Sequence, residues 1–120
     1  MVKRILVIDD DMDILSIIGI IFFEEGYETV LLETGRTAEE IRHLRPDLIL
    51  LDVRIVGYFK NGAEICKDIK SESALDTIPV ILISAERDLE DLARACLANG
   101  FIRKPFDLDK LLIMVKNFLN

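Results

Sequence analysis

Two kinds of apolar segment alternate along the chain. Ile5-Leu6-Val7-Ile8 is a short, continuous, β-branched-rich run, the mark of a strand buried on both faces. From Asp11 to Glu25 the spacing changes: Ile14, Ile17, Ile18, Ile21 and Phe22 recur at helical intervals, and Gly26 stops the helix. Glu28 to Leu32 reads as a more polar strand, nearer an edge, and Thr37 to Leu44 as a short helix ended ahead of Pro46. Asp47 to Leu51 is the third strand, with Leu48-Ile49-Leu50-Leu51 at its centre. After a loop from Asp52 to Lys60, Asn61 to Lys70 is helical, and Ser71 to Thr77 is a polar connection. Pro79 to Ile83 is a fourth buried strand, Leu89 to Ala98 a helix, and Phe101-Ile102-Arg103 a short fifth strand. The last helix runs from Asp107, its cap, to Leu119, with Leu108, Leu111, Leu112, Val115, Phe118 and Leu119 in one apolar stripe.

Five strands, each followed by a helix, make an α/β chain. Strands separated by helices run parallel, with right-handed crossovers and helices on both faces. The expected fold is a doubly wound five-stranded parallel sheet of order 2-1-3-4-5, a flavodoxin-like (βα)5 arrangement. No repeat or linker interrupts residues 1–120, so one domain is expected. The final helix reaches the last residues, and no effector domain is expected in this chain.

Composition narrows the classes. The 120 residues are 51% hydrophobic, enough for one core, and carry a net charge of −7, which argues against nucleic acid as a direct partner. Solubility accounts for the acidity as a whole. Cys66 and Cys96 lie in helical patterns without metal-ligand spacing and read as buried, reduced thiols. The longest apolar stretch, Ile14 to Phe23, is too short to span a bilayer, and the N-terminus carries no signal-peptide pattern. A cytoplasmic location without membrane insertion is the expectation.

Candidate chemistry comes from the residues at the strand ends. Parallel strands finish at one edge of the sheet, and ligands bind there, near the point where strand order reverses. The first strand is followed by Asp9, Asp10 and Asp11, the third by Asp52, the fourth by Ser84 and the fifth by Lys104. Asp9, Asp10 and Asp52 should therefore converge, with Ser84 and Lys104 on the far side of the pocket. Carboxylates ~4 Å apart repel by about 4 kcal/mol per pair at an effective dielectric near 20. A hard divalent cation with oxygen ligands offsets this; Mg²⁺ fits, with Mn²⁺ as a substitute. Lys104 supplies a fixed positive charge and Ser84 a hydroxyl donor. The set suits phosphoryl transfer to an aspartate.

Each residue alone has a plainer reading: Asp11 and Ser84 as caps, Lys104 as a surface lysine beside Pro105. Their joint placement at successive strand ends is what favours the site. A Mg²⁺-dependent phosphatase with an aspartyl nucleophile would need a second aspartate two residues on, and position 54 is Arg. A flavin carrier would need glycines and hydroxyls after the first strand. His43, the lone histidine, reads as a surface residue at the end of the second helix.

Val7-Ile8-Asp9-Asp10-Asp11, Pro46-Asp47-Leu48-Ile49-Leu50-Leu51-Asp52, Ile83-Ser84-Ala85 and Phe101-Ile102-Arg103-Lys104-Pro105-Phe106 together resemble the signature blocks of response-regulator receiver domains. The resemblance covers the whole chain. It implies Asp52 as phosphoacceptor. Asp10, Asp52 and the backbone carbonyl of Arg54 would be direct Mg²⁺ ligands, with Asp9 acting largely through metal-bound water. Lys104 would hold the acyl phosphate, Ser84 would move toward it, and Phe101 would turn inward as a switch. Ala85 would leave room for the phosphoryl group, and the Lys104–Pro105 bond would be cis. The implied donor is a histidine kinase or phosphotransfer protein, and the implied output a downstream protein target. Signalling would act through the surface of the fourth helix, fifth strand and fifth helix, where a homodimer could also form. Such a protein transfers a phosphoryl group to itself and is not a turnover enzyme. A pseudo-receiver, binding partners without phosphorylation, is the alternative.

Several positions depart from the family pattern. The loop after Asp52 carries Val56 where a proline is usual and is longer than usual. Tyr58 and Phe59 there are either an exposed partner contact or fold back onto the third helix. Arg54 is expected to reach over the phosphoryl group and modulate its lifetime, with Glu86 as its ion-pair partner across the pocket. Leu97 stands in place of the glycine usual before the fifth strand, and Asn99-Gly100 is expected to supply the tight turn instead.

Overall fold

The computed structural model describes all residues, 1–120. Five strands alternate with five helices: β1 (Arg4–Ile8), α1 (Met12–Glu24), β2 (Glu28–Leu32), α2 (Ala38–Leu44), β3 (Leu48–Asp52), α3 (Gly62–Lys70), β4 (Val80–Ser84), α4 (Leu89–Ala95), β5 (Gly100–Arg103) and α5 (Leu108–Leu119). All strand pairs are parallel, in the order β2-β1-β3-β4-β5.

The continuous apolar runs are the central strands, and side-chain alternation divides them between two cores. Ile5, Val7, Leu48, Leu50, Ile81 and Ile83 pack beneath α1 and α5, against Ile18, Phe22, Leu111 and Val115. Leu6, Ile8, Ile49, Leu51, Val80 and Leu82 face the other way, against Ile41, Ile65, Ile69, Leu89 and Ala93 of α2, α3 and α4. Cys66 and Cys96 are free, buried thiols in this second core. The two edge strands, β2 and β5, are the partly exposed ones.

Local signals set the helix ends. Asp11 caps α1, its Oδ1 accepting from Asp13 N and Ile14 N. Thr37 with Glu40 and Asn61 with Glu64 form capping boxes on α2 and α3.

The structure corrects the sequence reading around α4. The helix ends at Ala95, three residues earlier than the expected Ala98. Leu97 is left-handed at φ +64°, so it makes the turn itself despite its Cβ. Asn99-Gly100 is not that turn. Gly100 begins β5, and the Asn99 side chain instead accepts from Val80 N at 2.9 Å and Lys70 Nζ at 2.7 Å, tying α3 to the start of β4.

Candidate phosphoacceptor site

Register brings the acids together. Ile8 pairs with Leu51 across β1 and β3, so the next residues, Asp9 and Asp52, are neighbours. Both continue the alternation toward the α1–α5 face. Asp52 and Ser84 are the last residues of their strands rather than the first of the loops. Asp9, Asp10 and Asp52 each offer an oxygen within 4.8 Å of the others. Asp9 and Asp52 are buried, and Asp10 is partly exposed at the mouth.

Lys104 completes the cluster. Its backbone N–H donates to Ser84 O at 2.9 Å, which fixes its place beside β4, and the Lys104–Pro105 peptide is cis. Its Nζ lies 3.2 Å from Asp52 Oδ2 and 3.0 Å from Asp9 Oδ2. The lysine thus serves Asp9 as closely as Asp52, a sharing that residue types alone do not reveal. Burial opposes the charge on Lys104, but the two carboxylates outweigh it and hold its pKa above the ordinary value.

Asp52 is the most perturbed acid. Burial first, and then the Asp9 charge, push its pKa up to about 7, against the opposing pull of Lys104. One ammonium does not neutralise three carboxylates. Asp9 Oδ2 is a buried oxygen that receives no directional hydrogen bond, although Lys104 stands close to it. Excess negative charge, an under-satisfied buried oxygen and an all-oxygen donor set are what a hard divalent cation requires. Asp9, Asp10 and Asp52 therefore fit Mg²⁺.

A cavity of about 190 Å³ opens over these groups, lined by Asp10, Asp52, Arg54, Ser84, Ala85 and Lys104 among others. Ser84 Oγ accepts from Glu86 N at 3.0 Å, which leaves its O–H free to donate. Ala85 is exposed at the rim. Arg54 is exposed, and its backbone N–H donates to Asp52 Oδ1 at 3.3 Å. The expected Arg54–Glu86 ion pair is absent. Both residues line the cavity, but neither side chain makes a salt bridge; Arg54 is exposed, and the Glu86 backbone carbonyl accepts from Arg103 at 3.1 Å. Phe101 is half-buried against the second core, with the Arg103 guanidinium 5.9 Å from its ring centre.

The two aromatic residues of the long loop part company. Tyr58 folds back onto the core and covers Gly35, whose missing Cβ makes room for the ring, while Phe59 is 77% exposed. His43 is exposed in the last turn of α2, which runs back toward the opposite edge of the sheet. Two site features escaped the sequence reading. Gly62 lies against the backbone of Asp52, where any Cβ would collide with the Asp52 carbonyl, and its N–H donates to Val53 O at 2.7 Å. The Val56 N–H donates to Asp10 Oδ2 at 3.0 Å. The Asn61-Gly62 pair was a readable signal for the first; the second depends on loop geometry and had none.

Comparisons with known proteins agree with this geometry. The family profile described as response regulator receiver domain matches residues 5–116. The "DNA-binding response regulator MtrA" of Mycobacterium tuberculosis is 34% identical over 117 residues, covering 95% of this chain and 49% of the relative. The chain thus spans about half the length of these curated relatives. Among solved structures, the receiver domain of NtrX from Brucella abortus superposes with a TM-score of 0.82 at 31% identity, covering 96% of this chain and 97% of the other. The signal receiver domain of a signal transduction histidine kinase from Syntrophus aciditrophicus gives 0.80 at 33% identity, covering 98% and 89%. A sheet of order 2-1-3-4-5, three acids and a lysine at its switch point, and a family match over nearly the whole length lead to one assignment: the chain belongs to the response regulator receiver domain family.

Proposed function

We propose that this receiver accepts a phosphoryl group on Asp52 from a phosphohistidine of a histidine kinase or phosphotransfer protein, in a Mg²⁺-dependent step. The observation that carries the reading is the meeting of Asp9, Asp10, Asp52 and Lys104 around one cavity. Asp9, Asp10 and Asp52, with the Arg54 carbonyl, would hold the cation, which screens the carboxylates and the incoming phosphoryl oxygens. An Asp52 carboxylate oxygen attacks phosphorus, the P–N bond to the donor imidazole breaks, and the leaving nitrogen keeps the electron pair and takes up a proton. Lys104 pairs with the phosphoryl oxygens as charge builds on them, and Ser84 donates its hydroxyl to one. Ala85 leaves space for the group.

The donor has a landing surface. An apolar groove of about 460 Å³, lined by Ile14, Ile17, Ile18, Pro105, Phe106 and Leu108, runs beside the site and shares Lys104 and Ala85 with it. The added charge of roughly −1.5 to −2 draws Ser84 inward, Phe101 follows, and the α4–β5–α5 surface changes for a downstream target or a second copy. The protein acts on its own side chain and turns over no external substrate. No helix is long and apolar enough to cross a membrane.

The test is incubation with phosphoramidate and Mg²⁺, followed by intact-mass measurement. Wild type should gain one base-labile phosphoryl group and Asp52→Asn none. A wild type that stays unlabelled would mark a pseudo-receiver, a binding module without phosphorylation.

A further inference from the structure

Each of the three clustered carboxylates is oriented by one backbone N–H. Asp9 Oδ1 accepts from Asp11 N at 2.9 Å, Asp52 Oδ1 from Arg54 N at 3.3 Å, and Asp10 Oδ2 from Val56 N at 3.0 Å. Asp9 and Asp52 are also paired with Lys104, whereas the Val56 N–H is the only hydrogen-bond donor to the Asp10 carboxylate. Asp10 is also the least buried of the three. Repulsion from the other two pushes it toward solvent, and a single N–H holds it in.

That N–H is placed by a tight turn. Tyr58 N donates to Ile55 O at 3.4 Å, and Gly57 is left-handed at φ +87°. This is the pattern of a type II turn, with Val56 at its second position and glycine at its third. The Val56 side chain is 74% exposed, while the flanking Ile55 is buried and Tyr58 covers Gly35. The turn is therefore anchored on both sides, with its Val56 N–H directed at Asp10.

We propose that the Val56 N–H is a positioning group for the cation site: it fixes one Asp10 oxygen so that the other faces the metal, and it makes the Ile55–Tyr58 turn part of that site. The inference rests on Asp10 being a cation ligand. Mg²⁺ occupancy and the turn are then coupled, because a cation that holds Asp10 also holds the acceptor of the Val56 N–H.

Val56→Pro tests this cleanly. Proline is favoured at the second position of a type II turn, so the change removes the N–H and keeps the backbone. Val56→Ala keeps the N–H and controls for the side chain. Calorimetric titration with MgCl₂ should show Val56→Pro binding about fivefold more weakly than wild type, the equivalent of ~1 kcal/mol. Val56→Ala should match wild type, and thermal midpoints in EDTA should not fall for either variant. Equal Mg²⁺ affinity in the proline and alanine variants would overturn the inference and leave the cation site standing. A wild type that binds no Mg²⁺ would overturn the cation site itself, and both readings with it. Independently of any variant, hydrogen exchange at the Val56 amide of wild type should slow when Mg²⁺ is added; an unchanged rate would also overturn the coupling.

Discussion

Replacing Asp52 with asparagine should make the cation-free protein more stable at alkaline pH, although it destroys the proposed acceptor. In the folded protein Asp52 titrates at about 7, against an ordinary value of 3.8. The folded state therefore holds this proton more tightly than the unfolded chain does. Its contribution to stability is greatest below about pH 4, declines as pH rises toward 7, and is least above that. At 1.36 kcal/mol per pH unit, the gap is worth about 4 kcal/mol. Asparagine recovers only part of this, because Lys104 loses one of its two carboxylate partners and keeps Asp9. A gain of about 2 kcal/mol is expected, which for a chain of this size raises the melting temperature by roughly 6–8 °C. The assay is thermal unfolding in EDTA, at about pH 8 and again near pH 4. The variant should melt higher at the alkaline pH, and the two proteins should converge at the acid one. If Asp52→Asn melts at or below wild type at alkaline pH, the picture of crowded, under-neutralised carboxylates is wrong.

Lys104→Ala leaves Asp9 and Asp52 buried without their cation; near neutral pH it should cost about 3 kcal/mol in urea unfolding, partly restored by saturating Mg²⁺. Gly62→Ala puts a methyl group into the Asp52 carbonyl, so the acceptor backbone must shift; a loss of at least ~2 kcal/mol is expected, with reduced labelling of Asp52 by phosphoramidate. Leu97→Gly relieves a left-handed residue whose side chain is 69% exposed, and should raise the urea midpoint by the equivalent of ~0.5–1 kcal/mol after glycine's greater unfolded-state entropy is counted.

The sheet was legible because its strands are unusually plain. Leu48 to Leu51 and Val80 to Ile83 are uninterrupted apolar runs, and only burial on both faces accounts for them. The acid cluster was legible for a related reason: parallel order places every strand end on one edge, so Asp9, Asp52, Ser84 and Lys104 could be brought together before any coordinates. Side-chain pairing was not. Arg54 and Glu86 have opposite charges and line the same cavity, yet their side chains form no ion pair, and Arg54 is exposed to solvent. The end of α4 was missed because a leucine there adopts a conformation that sequence reasoning reserves for glycine. Tyr58 and Phe59 are adjacent and similar, but the gap over Gly35 takes one ring and leaves the other in water. Each of these outcomes turns on the local path of a loop rather than on residue type.

The most direct test of the central claim is a crystal structure grown with Mg²⁺ and beryllofluoride, which mimics an aspartyl phosphate. The account predicts beryllium bonded to an Asp52 oxygen, Mg²⁺ held between Asp10, Asp52 and the Arg54 carbonyl, and Lys104 Nζ on a fluorine. A cation bound elsewhere, or beryllofluoride absent from Asp52 at saturating concentration, would contradict it.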